Sequence, residues 1–138
     1  MIREASGSKL YAAVVSAAML ALVVAGLGTP ARAAAGNAAN GKKLYASQGC
    51  AACHKLDAGS NGLGPSLHGV FDRKAGELSD FRYSPALKRS GIVWSPQTLD
   101  TYLADPQALV PGNRMPYAGM KDPQDRVDLI AYLSKMSK

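Results

Sequence analysis

In several stretches of this chain helix end signals bound apolar residues that return every three or four positions, and no stretch alternates in twos for long enough to make a strand, so the pattern predicts an all-α fold. Four helices can be bounded from it. The first covers about 37–48, with Leu44 and Tyr45 on one face, Asn37 or Asn40 as its cap and Gly49 to close it. A short second helix starts at Ser84-Pro85 and ends by Gly91. The third starts at Ser95-Pro96, carries Leu99, Tyr102 and Leu103, and is stopped by Pro106. In the last, Asp122 is the cap and Pro123 the first residue, with Asp125 in the first turn and Lys135 and Lys138 near the end, each charge matched to the helix dipole. Its stripe Val127, Ile130, Leu133, Met136 predicts one buried face. The stretches 55–64 and 70–81 are rich in Gly and polar residues and read as loops.

A different pattern opens the chain. After Arg3 and Lys9, the 19 residues from Leu10 to Gly28 carry no charge and are mostly Ala, Val and Leu; Gly28, Pro30 and Ala31-Arg32-Ala33 follow. A basic start, an apolar middle and a small-x-small end make a secretory signal peptide, so residues 1–33 are expected to be cleaved off and 34–138 to form the mature domain. The competing reading is an uncut membrane anchor, because 19 uncharged residues nearly span a bilayer. Against it stand the helix breakers Gly28 and Pro30, and the six residues from Ala34 to Ala39, which would let an anchored domain move only about 20 Å from the membrane.

The mature part has 105 residues, enough for one domain and a modest core. Thirteen Lys and Arg stand against nine Asp and Glu there, a formal charge of +4. The basic residues are scattered, which argues against nucleic acid as a partner, and the moderate excess suits docking to an acidic protein surface.

The chemistry lies in Cys50-Ala51-Ala52-Cys53-His54, the C-x-x-C-H pattern of covalent haem attachment. Two cysteines three apart lie about one helical turn from each other, so their sulfurs reach the two vinyl groups on one edge of a porphyrin, and the next residue aims an imidazole at the iron. A disulfide would need no histidine, a thioredoxin-like pair would need a strand before it, and a zinc site would need two more ligands. A haem carrier also needs a sixth iron ligand, for which a thioether is suited. Met1 and Met19 leave with the signal, and Met136 belongs to the helix stripe. Met115 sits between Pro111 and Pro116 in a stiffened loop, which makes it the chosen ligand, with Met120 expected to pack in the core. His68 is the other candidate. Only 14 residues after His54, it would have to cross from one haem face to the other, and a hydrogen-bonded structural role is expected for it. With this little aliphatic content the porphyrin should supply much of the core, and the haem-free chain should be largely unfolded.

Beyond the haem motif, the chain carries Gly64-Pro65, Leu67-His68-Gly69, Arg73-Lys74-Ala75-Gly76, Phe81-Arg82-Tyr83, Gly91-Ile92-Val93-Trp94, Leu99-Asp100-Thr101-Tyr102-Leu103, Pro111-Gly112-Asn113-Arg114-Met115 and Asp128-Leu129-Ile130-Ala131-Tyr132-Leu133. In order and spacing these resemble the class I cytochromes c, the mitochondrial branch with its soluble bacterial relatives, over nearly all of the mature part. The resemblance implies a cytochrome c fold, with three core helices, short helices and loops around one covalent haem c. It implies thioether bonds at Cys50 and Cys53, axial ligands His54 and Met115, and a Pro65 carbonyl that accepts the second ring nitrogen of His54. Tyr83, Trp94, Arg73 and Asn113 would hydrogen-bond or neutralise a haem propionate, Tyr102 would lie beside the methionine sulfur, and Gly41 with Tyr132 would mark a close crossing of the first and last helices.

Some positions depart from that pattern. Leu87 stands where mitochondrial members usually carry an asparagine near an internal water, which should reduce the polar network on the Met115 side. Gln48, Gln107 and Ala108 replace lysines around the haem edge, leaving Lys43, Arg114 and Lys121 for docking and weaker electrostatic steering. The function implied is a monomeric electron carrier of the periplasm, not an enzyme. It would take single electrons from a quinol-oxidising complex and pass them to an oxidase or other acceptor, in a respiratory or photosynthetic chain. The alternatives are a peroxidase-like haem enzyme or ligand sensor with an open iron position, a membrane-tethered cytochrome, and a permanent enzyme subunit.

Overall fold

The computed structural model describes residues 35–137, so the export signal expected over 1–33 lies outside the described residues. Helix α1 is Ala38–Ser47, and its cap is Asn37, whose side chain accepts from the amides of Ala39 and Asn40. Asn40 is already inside the helix and donates across to Asp128 instead. Gly49, at φ +79°, takes the left-handed conformation that ends a helix and turns the chain into the single turn α2, Cys50–Cys53.

The next four helices start in one way. α3 (Pro85–Arg89), α4 (Pro96–Ala104), α5 (Pro106–Leu109) and α6 (Pro123–Met136) each begin with proline behind a side-chain cap, respectively Ser84, Ser95, Asp105 and Asp122. The cap oxygen satisfies amides that the helix cannot, and proline has no amide to leave unsatisfied. Ser95 and Thr98 make a reciprocal capping box. Pro106, expected only as a stop for α4, also starts α5, because Asp105 before it accepts from the amide of Ala108. Among the described residues there is no strand. One isolated bridge pairs Lys74 with Val93, and the bonds beside it, Ala75 amide to Ile92 carbonyl at 2.8 Å and Trp94 amide to Arg73 carbonyl at 2.9 Å, hold those two loops together.

α6 packs against α1 and α4. A Cβ on Gly41 would collide with the Asp128 carbonyl and sit 2.7 Å from Tyr132 Cβ, so only glycine allows this approach. The buried residues of α6 are Asp128, Leu129, Ile130, Tyr132 and Leu133. Met136, expected on that face, is 48% exposed, because it lies in the last turn past the packed surface. Met120 is buried against Leu129 and Tyr132, as expected. Two apolar clusters result, one around Trp94, Leu99 and Tyr102, the other around Tyr45, Leu129 and Leu133, and both contribute walls to one cavity.

Candidate haem-binding site

The cavity measures about 580 Å³, a size suited to an organic cofactor. Cys50, Cys53, His54, Pro65, Arg73, Tyr83, Trp94, Tyr102, Asn113 and Met115 all border it; His68 does not. The backbone of His68 is engaged at both ends, by Ser66 Oγ and by Arg73, while its ring makes no hydrogen bond among the described residues.

On the attachment side, α2 sets the two cysteines one turn apart, and the His54 amide closes that turn on the Cys50 carbonyl at 2.8 Å. His54 Nδ1 lies 2.8 Å from the Pro65 carbonyl, which can only accept, so Nδ1 carries the proton and Nε2 is the lone-pair nitrogen. Burial pushes the imidazole pKa down, partly offset by that bond, which favours the neutral ring a metal requires. Gly64 has a role the sequence did not reveal: a Cβ there would fall 2.8 Å from His54 Nδ1 and 2.9 Å from Nε2, so the bare backbone lies against the ring. The only local signal was a glycine directly before Pro65. Tyr45 adds a second support, its hydroxyl donating to the His54 carbonyl at 2.7 Å.

On the polar side, Arg73 donates to the carbonyls of His68 (2.7 Å) and Ser66 (2.9 Å) and has no carboxylate partner among the described residues. A half-buried cation facing a cavity without a counter-ion fits a group that brings its own acid, as a haem propionate would. Tyr83 stands near it; burial raises its phenol pKa and Arg73 opposes the rise. Trp94 packs edge-on against Tyr102 at 5.1 Å between ring centroids. Burial pushes Tyr102 up to about 12, and its hydroxyl has no hydrogen bond among the described residues, in keeping with the apolar Leu87 on the same wall.

Asn113 is engaged by main chain on both ends of its amide. Its Nδ2 donates to the carbonyls of Pro106 (2.8 Å) and Val110 (3.0 Å), and its Oδ1 accepts from the Met115 amide (2.8 Å). Both amide hydrogens are taken by main chain, so this side chain braces the methionine loop.

A haem therefore fits the residues present: paired thiols, a tautomer-fixed imidazole, a thioether, a cation with no carboxylate partner among the described residues, and apolar walls. Residues 38–137 match the model of the family described as cytochrome c. The chain belongs to the cytochrome c family. This cytochrome is 51% identical over 87 residues to cytochrome c2 iso-2 of Magnetospirillum fulvum, covering 63% of this chain and 91% of that one. It is 48% identical over 103 residues to cytochrome c of Theileria parva, covering 74% and 88%. Among solved structures, cytochrome cH from Methylobacterium extorquens superposes with a TM-score of 0.67 at 44% identity, covering 72% of this chain and 99% of that one. The cytochrome's cofactor is covalently attached haem c, its role is electron transport, and its fold is the cytochrome c fold.

Proposed function

We propose that this cytochrome is a mobile single-electron carrier whose haem is bonded through Cys50 and Cys53 and held at the iron by His54 Nε2 and the Met115 sulfur. The observation that carries the reading is the convergence on one cavity of both thiols, an imidazole with its proton fixed on Nδ1 by Pro65, and a methionine in a braced loop. The haem supplies reversible one-electron chemistry at its iron, tuned by these axial ligands. The protein's part is to bind and orient. Pro65 and Gly64 fix the imidazole plane, Asn113 fixes the methionine backbone, the aromatic walls exclude water, and Arg73 with Tyr83 and Trp94 receives the propionate side.

Partners are redox proteins: a quinol-oxidising complex as donor and an oxidase or similar acceptor. Arg114, Lys43 and Lys121 are exposed and supply docking charge. Leu63, 85% exposed at the cavity rim, offers an apolar contact. Residues 1–33 act as a cleaved export signal, which places a monomeric carrier in the periplasm; the mass of the mature protein checks the cleavage. No helix among the described residues is long and apolar enough to cross a membrane.

The test is spectroscopic. Oxidised holo-protein should show the weak long-wavelength absorption that reports an iron–thioether bond, and Met115→Ala should abolish it and lower the reduction potential. Wild-type protein without that absorption would defeat the His/Met assignment and favour an open iron position.

A further inference from the structure

The loop that carries Met115 is short and mostly exposed: Pro111, Gly112, Arg114 and Pro116 face solvent, and its apolar packing comes from Met115, which lies against the cluster around Trp94. Asn113 is the exception. It is buried, and its side chain uses two donors and one acceptor on three main-chain atoms. Two of those atoms, the carbonyls of Pro106 and Val110, frame α5, and Pro106 is one of the most deeply buried residues of the protein. The third is the amide of Met115, two residues on, closed as an Asx-turn. Gln107 repeats the arrangement more loosely, donating to the Asn113 carbonyl at 3.2 Å and accepting from the Gly112 amide at 3.4 Å.

We propose that Asn113 is a positioning residue for the sixth ligand: it welds the Met115 backbone to α5 and so sets how often the sulfur leaves the iron. The inference rests on Met115 being that ligand. No other side chain of this size supplies two donors and an acceptor in one plane. Aspartate loses both donors, serine keeps one donor and one acceptor, and alanine keeps nothing.

An outside ligand binds the iron only while the methionine is away, so its apparent affinity is scaled by the fraction of molecules with the loop open. Imidazole titrated into oxidised holo-protein, followed by loss of the iron–thioether absorption, measures that fraction. Removing hydrogen bonds of ordinary strength in Asn113→Ala should lower the apparent dissociation constant at least about tenfold. Asn113→Ser should fall between the two and serves if the alanine protein does not accumulate. Asn40→Ala, which loses its bond to Asp128 away from the loop, should leave the constant within about twofold of wild type. An unchanged constant in the Asn113 variants overturns the proposal, and so does an equal fall in Asn40→Ala, since global loosening would then explain both. Wild-type protein lacking the absorption at the outset would instead defeat the ligand assignment itself.

Discussion

The crossing of α1 with α6 and the wall around the cavity are built on opposite plans. At the crossing the chain is complete in itself: Gly41 admits the Asp128 backbone, Tyr45 meets Tyr132 at 5.7 Å between ring centroids, and the Asp128 carboxylate accepts from the Asn37 amide, Asn40 Nδ2 and Gln124 Nε2, all at 2.8 Å. Around the cavity the side chains face a space that no atom of the described residues fills, and Arg73 has no acidic partner among those residues. Interiors are close-packed because dispersion contacts vanish across a gap. One region therefore stabilises the fold and the other requires a guest.

The largest expected effect tests the second half of that contrast. Cys50→Ala/Cys53→Ala protein, which cannot attach haem, should lose more than half of its far-ultraviolet helical signal, and its slowest-exchanging amides should lie in α1 and α6. Full helix content without haem would show that the wall closes on itself, and the contrast would fail.

Next in size is Gly41→Ala. Alanine in place of a helical glycine ordinarily stabilises by about 0.5–1 kcal/mol. Here the added methyl meets a backbone carbonyl that cannot rotate away, and forced overpacking of this kind costs about 1–3 kcal/mol or more. The clash should win, lowering the denaturant midpoint of holo-protein.

The smallest effect belongs to Asp128. Hydrogen bonds, first from the Asn37 amide and then from Asn40 and Gln124, hold its pKa below the usual carboxylate value. A folded-state pKa below the unfolded one means that the carboxylate stabilises the protein above about pH 4 and that this contribution fades as pH falls through the folded value. Asp128→Asn should be less stable at neutral pH and should flatten the acid limb of the stability curve; chemical denaturation across pH reads both. An unchanged acid limb would remove the carboxylate from the crossing's account.

What could be read along the chain follows the same division. Caps and their prolines are local, so α1, α3, α4 and α6 were legible to within a residue or two, and the haem motif is five consecutive residues. α5 was missed although Asp105-Pro106 repeats the start signal of its neighbours, because a proline that stops one helix hides the helix it begins. The face of α6 was legible, but its end was not: Met136 continues the spacing after the partners have run out. At the site, residue identities and the pairing of His54 with the Pro65 carbonyl were legible through the family resemblance, and most other partners were not. Asn113 holds three main-chain atoms, and Gly64 matters only because a ring ten residues earlier in the sequence comes to lie on it. Such contacts depend on distances that no local pattern encodes.

Tyr45 belongs to both regions at once, with its ring against Tyr132 and its hydroxyl on the carbonyl of His54. A crowbar applied between α1 and α6 thus has its far end under the imidazole. Damage at the crossing should therefore show as a change in tint, in the visible range where neither tyrosine of the contact absorbs.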